Sequence, residues 1–352
     1  MKHAWLTRRP NLASCAGAGR RGARARLALA WLLGCAVTGM GACQGSGSRS
    51  APKGEGATGP AVPAEVAVVA LEDVAGLSGA ATDARGVLWM VPERRHVLIE
   101  QAAGAPARAW PLSGVPDEGL DLESLAWLGT IEGRERFAVG TEGVCERNTH
   151  AVLVVERQGE GFAVVETIRL PLDLWPEIVC EDGHGLEGLC AAGGTQPGEA
   201  AGEAPGEGYI VAAIEHPEQD AEQRRWAPLG VRGPDGRWTP HRVALTSETG
   251  KISALDCRLM DAGQGIEGIE VWAIERHFET SRLVRFVVPR DGAAGPITPV
   301  VVMDLTRYTD GGRRNFEGLI VTGDRVRVLV DNQWRTISGP NEILSLPLPA
   351  QP

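Results

Sequence analysis

Three glutamates share one local pattern. Glu123, Glu187 and Glu317 each follow a bulky apolar residue and precede a small one, in Leu122-Glu123-Ser124-Leu125, Leu186-Glu187-Gly188-Leu189 and Phe316-Glu317-Gly318-Leu319. Leu77-Ser78-Gly79-Ala80 and Ile252-Ser253-Ala254-Leu255 repeat it with serine in the acid's place. A second set of acids closes short apolar runs: Val91-Pro92-Glu93, Gly140-Thr141-Glu142, Ala213-Ile214-Glu215, Ala273-Ile274-Glu275 and Leu329-Val330-Asp331. Arg94, His216, Arg276 and Asn332 follow directly on four of these. Grouped carboxylates suit hard cations such as Ca²⁺, which take several carboxylate and carbonyl oxygens. They also raise one another's pKa, which suits acid–base work.

Glu123, Glu187 and Glu317 are therefore the candidate catalytic acids, with His184 close ahead of Leu186. Glu187, Glu317 and Asp331 are the candidate ligands for Ca²⁺. Glu93, Arg94, Glu142, Glu215, His216, Glu275, Arg276, Asp331 and Asn332 are the candidate binding residues. His277 joins His184 and His216 as a possible acid or base, since histidine titrates near neutral pH. The competing reading is a set of surface carboxylates partly paired with Arg94, Arg276 and Arg335.

These acids need a scaffold that repeats. The motif starts, 77, 122, 186, 252 and 316, lie 45, 64, 66 and 64 residues apart. Self-similarity at a roughly fixed period marks a repeat architecture. From Glu65 onward the segments are short, rich in Val, Leu, Ile and Trp, and separated by Gly, Pro, Asp and Asn, which predicts many strands and few helices. Four strands fit into each repeat except the last, which supplies three. Glu65 to Leu71 is a strand without a repeat and would complete the last one. The expected fold is all-β: a β-propeller of four-stranded blades, five in number with six as the alternative, closed by an N-terminal strand. The start of each first strand and the end of the second fall on one face, so the two sets of acids form concentric rings around one mouth. The small residues after each motif position (Gly79, Ser124, Gly188, Ala254 and Gly318) relieve crowding of first strands near the axis. Ala192–Glu207 reads as a surface insertion, and Ile266-Glu267-Gly268-Ile269, too close to Ile252, does not open a blade.

Residues 1–42 read as an export signal: Arg20, Arg21, Arg24 and Arg26 precede an apolar run too short to span a bilayer. Met40-Gly41-Ala42-Cys43 resembles a lipobox, making Cys43 the expected lipidation site and membrane anchor; Leu32-Leu33-Gly34-Cys35 is the alternative. Residues 43–64 form a flexible linker and 65–352 the folded domain. The expected location is the outer membrane or the periplasmic face of the envelope. Loss of 1–42 takes the formal charge from −10 to −17, and so acidic a domain repels nucleic acid. Lysine occurs only at 2, 53 and 251, a bias that reads as genome composition. Cys145, Cys180, Cys190 and Cys257 imply two disulfides in an oxidising compartment. Three pairings exist, and the repeat favours Cys145–Cys180 and Cys190–Cys257. The expected partner is a small molecule or protein at the mouth of a monomer.

Ile252-Ser253 leading to Ala273-Ile274-Glu275-Arg276-His277-Phe278, and Asn315-Phe316-Glu317-Gly318-Leu319 leading to Leu329-Val330-Asp331-Asn332, resemble the phytase-like ("esterase-like activity of phytase") propeller family. Gly76-Leu77-Ser78-Gly79 resembles that family's opening motif. The resemblance spans about 70–348 and implies an exported propeller with phosphoester or carboxylester hydrolysis. It departs at Val91-Pro92-Glu93, where an Asp-containing end is expected, and in the Ala192–Glu207 insertion. No Gly-x-Ser-x-Gly elbow, His-Glu-x-x-His helix or Gly-x-x-x-x-Gly-Lys loop occurs. A non-catalytic ligand- or protein-binding propeller is the alternative function.

Overall fold

Each motif opens with a residue that leaves water entirely or nearly so: Leu77, Leu122, Leu186, Ile252 and Phe316 are at most 1% exposed. The computed structural model describes residues 65–69, 76–116, 119–142, 150–178, 185–193, 208–215, 217–219, 224–260, 267–277, 280–290, 292, 295–331 and 340–350. Among these there is no α-helix, only short 3₁₀ turns such as Leu172–Leu174 and Thr306–Tyr308.

β1 is Glu65–Val69. The first meander is β2 (Leu77–Thr82), β3 (Leu88–Pro92), β4 (Val97–Gln101) and β5 (Arg108–Ser113). The second is β6 (Leu122–Ile131), β7 (Arg134–Thr141), β8 (Ala151–Gln158) and β9 (Gly161–Arg169). These two join into one eight-stranded sheet through a short parallel contact, Leu112 and Ser113 of β5 against Phe162 and Ala163 of β9. The third runs β10 (Gly188–Ala192), β11 (Tyr209–Ala213), the two-residue β12 (Glu218–Gln219), β13 (Arg225–Arg232) and β14 (Trp238–Ala244); β12 is an addition to the expected four. The fourth is β15 (Lys251–Leu259), β16 (Ile269–His277), β17 (Thr280–Val288) and β18 (Val300–Asp304). The last is β19 (Asn315–Thr322), β20 (Arg325–Asp331) and β21 (Asn341–Pro347), and β1 pairs antiparallel with β21 as its outer strand. The chain's two ends thus share one sheet. Ile269 opens β16, a second strand, so the motif-like run there starts no meander.

The first strands touch in a closed cycle, β2 to β6, β6 to β10, β10 to β15, β15 to β19, and β19 back to β2. Meanders arranged radially around such a cycle make a β-propeller. Three junctions carry a specific bond. The Ser78 hydroxyl donates to Leu122 O at 2.5 Å, and the Ser253 hydroxyl to Phe316 O at 3.0 Å. The Ser124 hydroxyl donates to Leu186 O. Between β10 and β15 the link is covalent, Cys190–Cys257, with Cα atoms 5.7 Å apart, inside the usual disulfide range. Cys145, Cys180 and the lipobox lie outside the described residues, as does the insertion from 194 to 207.

Crowding at the axis is direct. A Cβ on Gly79 would sit 2.6 Å from Ser124 Cα, and one on Gly188 2.7 Å from Leu255 Cγ. Between the meanders lie apolar layers, such as Trp89, Phe137 and Phe162, with ring centroids 5.1 to 5.7 Å apart. Each such side chain contributes about 1.5–3 kcal/mol by leaving water.

Candidate functional site

In four of the five meanders the motif position is a β-bulge. Pairing of β2 with β3 skips Ser78, β6 with β7 skips Glu123, β15 with β16 skips Ser253, and β19 with β20 skips Glu317. An extra residue in one strand breaks the two-residue alternation and re-aims its side chain. Where that residue is serine, its hydroxyl goes to the neighbouring strand. Glu123 and Glu317 turn instead into a cavity of about 560 Å³ at the mouth. Glu187, immediately before β10, joins them there.

The second set of acids arrives from strand ends, and backbone bonds lace it to the next meander. Leu122 N donates to Glu93 O at 2.9 Å, and Leu186 N to Thr141 O at 3.2 Å. Glu93, Arg94, Glu142, Glu215 and Arg276 all line the same cavity. Two of the expected binding residues do not. Glu275 is fully buried, its oxygens taken by the backbone N–H groups of Thr246 and Ser247 at 2.9 and 2.8 Å. Asp331 is 1% exposed and pairs in register with Asn315 behind the lining. His184, His216 and Asn332 lie outside the described residues.

Five of the carboxylates on the cavity fall into two groups. Glu317 pairs with Arg276 and accepts from the Asn315 amide, and Glu215 pairs with Lys251. Asp121, Glu123 and Glu142 instead face one another, one oxygen from each lying within 4.8 Å of the others. The expected ligand set of Glu187, Glu317 and Asp331 is not the one gathered, because Glu317 is held by its arginine. Asp121, Glu123 and Glu142 supply the hard oxygen donors that Ca²⁺ takes, and they fit such an ion.

Burial dominates the proton affinities here, because it penalises the charged form. It pushes Glu93 up to about 8, with Asp331 and Glu317 adding repulsion. Glu142 rises to about 7 through burial and its hydrogen bond with Asp121. Glu187 rises to about 7 through burial and Glu317, opposed by Lys251 and Arg276. Glu123 is raised well above the usual carboxyl range by burial, then by Glu187 and Glu93. Lys251 is lowered by burial and by Arg276.

Asp121, Lys251, Asn315, His277, Ser281 and Arg314 also line the cavity, and of these only His277 was expected as a site residue. The signal existed for three of them. The residue just before each motif start is Gly76, Asp121, Gly185, Lys251 or Asn315, and every one with a polar side chain faces the cavity.

No protein-family model and no curated protein sequence matches the chain. Solved structures overlap it loosely. Virginiamycin B lyase from Staphylococcus aureus is 10% identical, covering 82% of this chain and 99% of its own, with a TM-score of 0.37. A luciferin-regenerating enzyme is 11% identical over 80% and 95%, with a TM-score of 0.46. The PQQ-bound aldose sugar dehydrogenase of Streptomyces coelicolor is 14% identical over 83% and 100%, with a TM-score of 0.40. Overlaps of this size carry nothing about activity.

Proposed function

We propose that this chain is a five-bladed propeller of the phytase-like type whose mouth is the active site of a cation-assisted phosphoester or ester hydrolase. The five-blade count takes the eight-stranded sheet as two blades, joined only at the β5–β9 contact. The observation that carries the chemistry is the convergence of Asp121, Glu123 and Glu142 oxygens in a cavity that also holds Lys251 and Arg276. Ca²⁺ held by those three carboxylates would polarise the substrate and activate water. Arg276 and Arg314 would orient the ester's anionic oxygens. Glu187, titrating near neutrality, is placed to give its proton to the leaving oxygen as the ester bond breaks. Export and anchoring through Cys43 belong to the same reading, and acyl labelling lost in Cys43→Ala but kept in Cys35→Ala tests that part.

The test of the site is thermal melting in EDTA and then in excess Ca²⁺, beside a turnover screen of phosphoesters and lactones. A ligand at 100 times its Kd adds ~2.7 kcal/mol to the native state. The expected result is an upward shift and turnover, both lost in Glu123→Gln. No shift and no turnover overturns the hydrolase and leaves a binding propeller.

A further inference from the structure

We propose that Lys251 is an imine-forming lysine, and that the mouth captures a small carbonyl compound with an anionic group, a 2-oxo acid, covalently through Nζ. This goes beyond hydrolysis and does not depend on it, since imine formation needs neither a cation nor an ester.

Lysine is scarce here, occurring at 2, 53 and 251 among 35 basic residues. Buried acids elsewhere are served by arginine, as Arg134 and Arg136 serve Glu156, and Arg258 and Arg285 serve Glu270. Arginine stays charged and does not form an imine with a ketone, whereas a lysine amine does. The one lysine of the described residues opens β15 and lines the cavity.

Its surroundings suit the reaction. Lys251 pairs in register with Arg276, so two cations stand directly opposite, an arrangement that is unfavourable for structure alone. Together with burial, that neighbour lowers the amine's proton affinity, one of the recognised ways to activate a lysine. The Glu215 carboxylate touches Nζ and can take its proton. Two buried donors on the same cavity have no hydrogen-bond partner among the described residues: the Ser281 hydroxyl, on a residue 1% exposed, and Arg276 Nε. A carboxylate beside a ketone would engage both.

The step balances without any redox partner. Glu215 takes one proton from the Lys251 ammonium, and Nζ adds to the carbonyl carbon. A second N–H proton and the one on Glu215 leave with the former carbonyl oxygen as water. The iminium that remains keeps the positive charge the ammonium had, among Glu187 and Glu317.

The test uses the full chain with pyruvate and cyanoborohydride, which reduces an imine to a stable amine, followed by peptide mass mapping. Pyruvate is expected to label Lys251 severalfold faster than it labels free Nα-acetyl-lysine, since burial and Arg276 favour the neutral amine. Lys251→Arg keeps a cation beside Glu215 and should melt like the parent while losing the label at 251. Ser281→Ala, which leaves the ion pair intact, should slow labelling severalfold. Labelling of Lys251 no faster than the free amine overturns the proposal and leaves Lys251 as an ion-pair partner only.

Discussion

Glu275 and Ser247 are joined at two points: one carboxylate oxygen accepts the Ser247 backbone N–H at 2.8 Å and the Ser247 hydroxyl at 2.5 Å. The other oxygen accepts the Thr246 N–H at 2.9 Å and its hydroxyl at 2.7 Å. Four donors on one buried carboxylate fix the turn that leads into Lys251. The acid that the sequence pattern placed among the ligand-binding residues therefore works behind the site.

Glu275→Gln keeps the shape but replaces one of the two acceptor oxygens with an NH2 group that donates. Hydrogen bonds to a charged group are worth about 1.5–3 kcal/mol each, so a loss of about 2–3 kcal/mol is expected. Urea unfolding measures it; an unchanged midpoint would show that the turn is held by its own backbone.

The pH dependence of stability follows from Glu93 and Glu187. Their folded-state values, about 8 and about 7, lie above the usual carboxyl value. The native state therefore binds more protons than the unfolded chain between about pH 4.5 and 8, and stability falls as pH rises through that window. In EDTA the melting temperature should decline from pH 5 to pH 8. Glu93→Gln should flatten the upper part of that decline, and a melting temperature that climbs over the same range would refute the assignment.

Reduction of Cys190–Cys257 frees a loop with a sequence separation of 67 residues. The chain-entropy relation puts the loss at about 4 kcal/mol. A Cys190→Ala, Cys257→Ala double variant should melt below the parent under non-reducing conditions, and a variant that melts like the parent would show that this bridge adds no stability.

Phe137 is fully buried between Trp89 and Phe162. Phe137→Ala removes the ring and leaves a cavity, with an expected cost of about 3–5 kcal/mol. Since it lies in the apolar layer and not at the mouth, metal response in the folded variant should be unchanged. Differential scanning with and without Ca²⁺ separates the two effects.

Much of the scaffold was legible because it depends on local pattern. Leu77, Leu122, Leu186, Ile252 and Phe316 recur with a small residue two places on, and crowding at the axis forces both choices. The closing strand was legible because β1 had no repeat of its own. The short β12 was not, since a two-residue pairing of Glu218 and Gln219 leaves no hydrophobic trace. Asp121 and Lys251 were overlooked for a different reason. They occupy a column that holds glycine in two repeats, so it carries no shared chemistry to notice.

The sequence by itself determined that most of the acids, though not Glu275 or Asp331, would meet at one mouth, because strand order and motif position settle which strand ends share a face. It could not determine which acid would be neutralised. Glu317 meets Arg276 from the preceding meander and Glu215 meets Lys251 from the following one, contacts that exist only once the first strands close their cycle. Bulges then decide which way Glu123 and Glu317 point, turning Glu123 toward Asp121 and Glu142. Charge pairing at a ring's centre depends on neighbours far apart in the chain and angstroms apart in space, so only the tertiary structure could assign it.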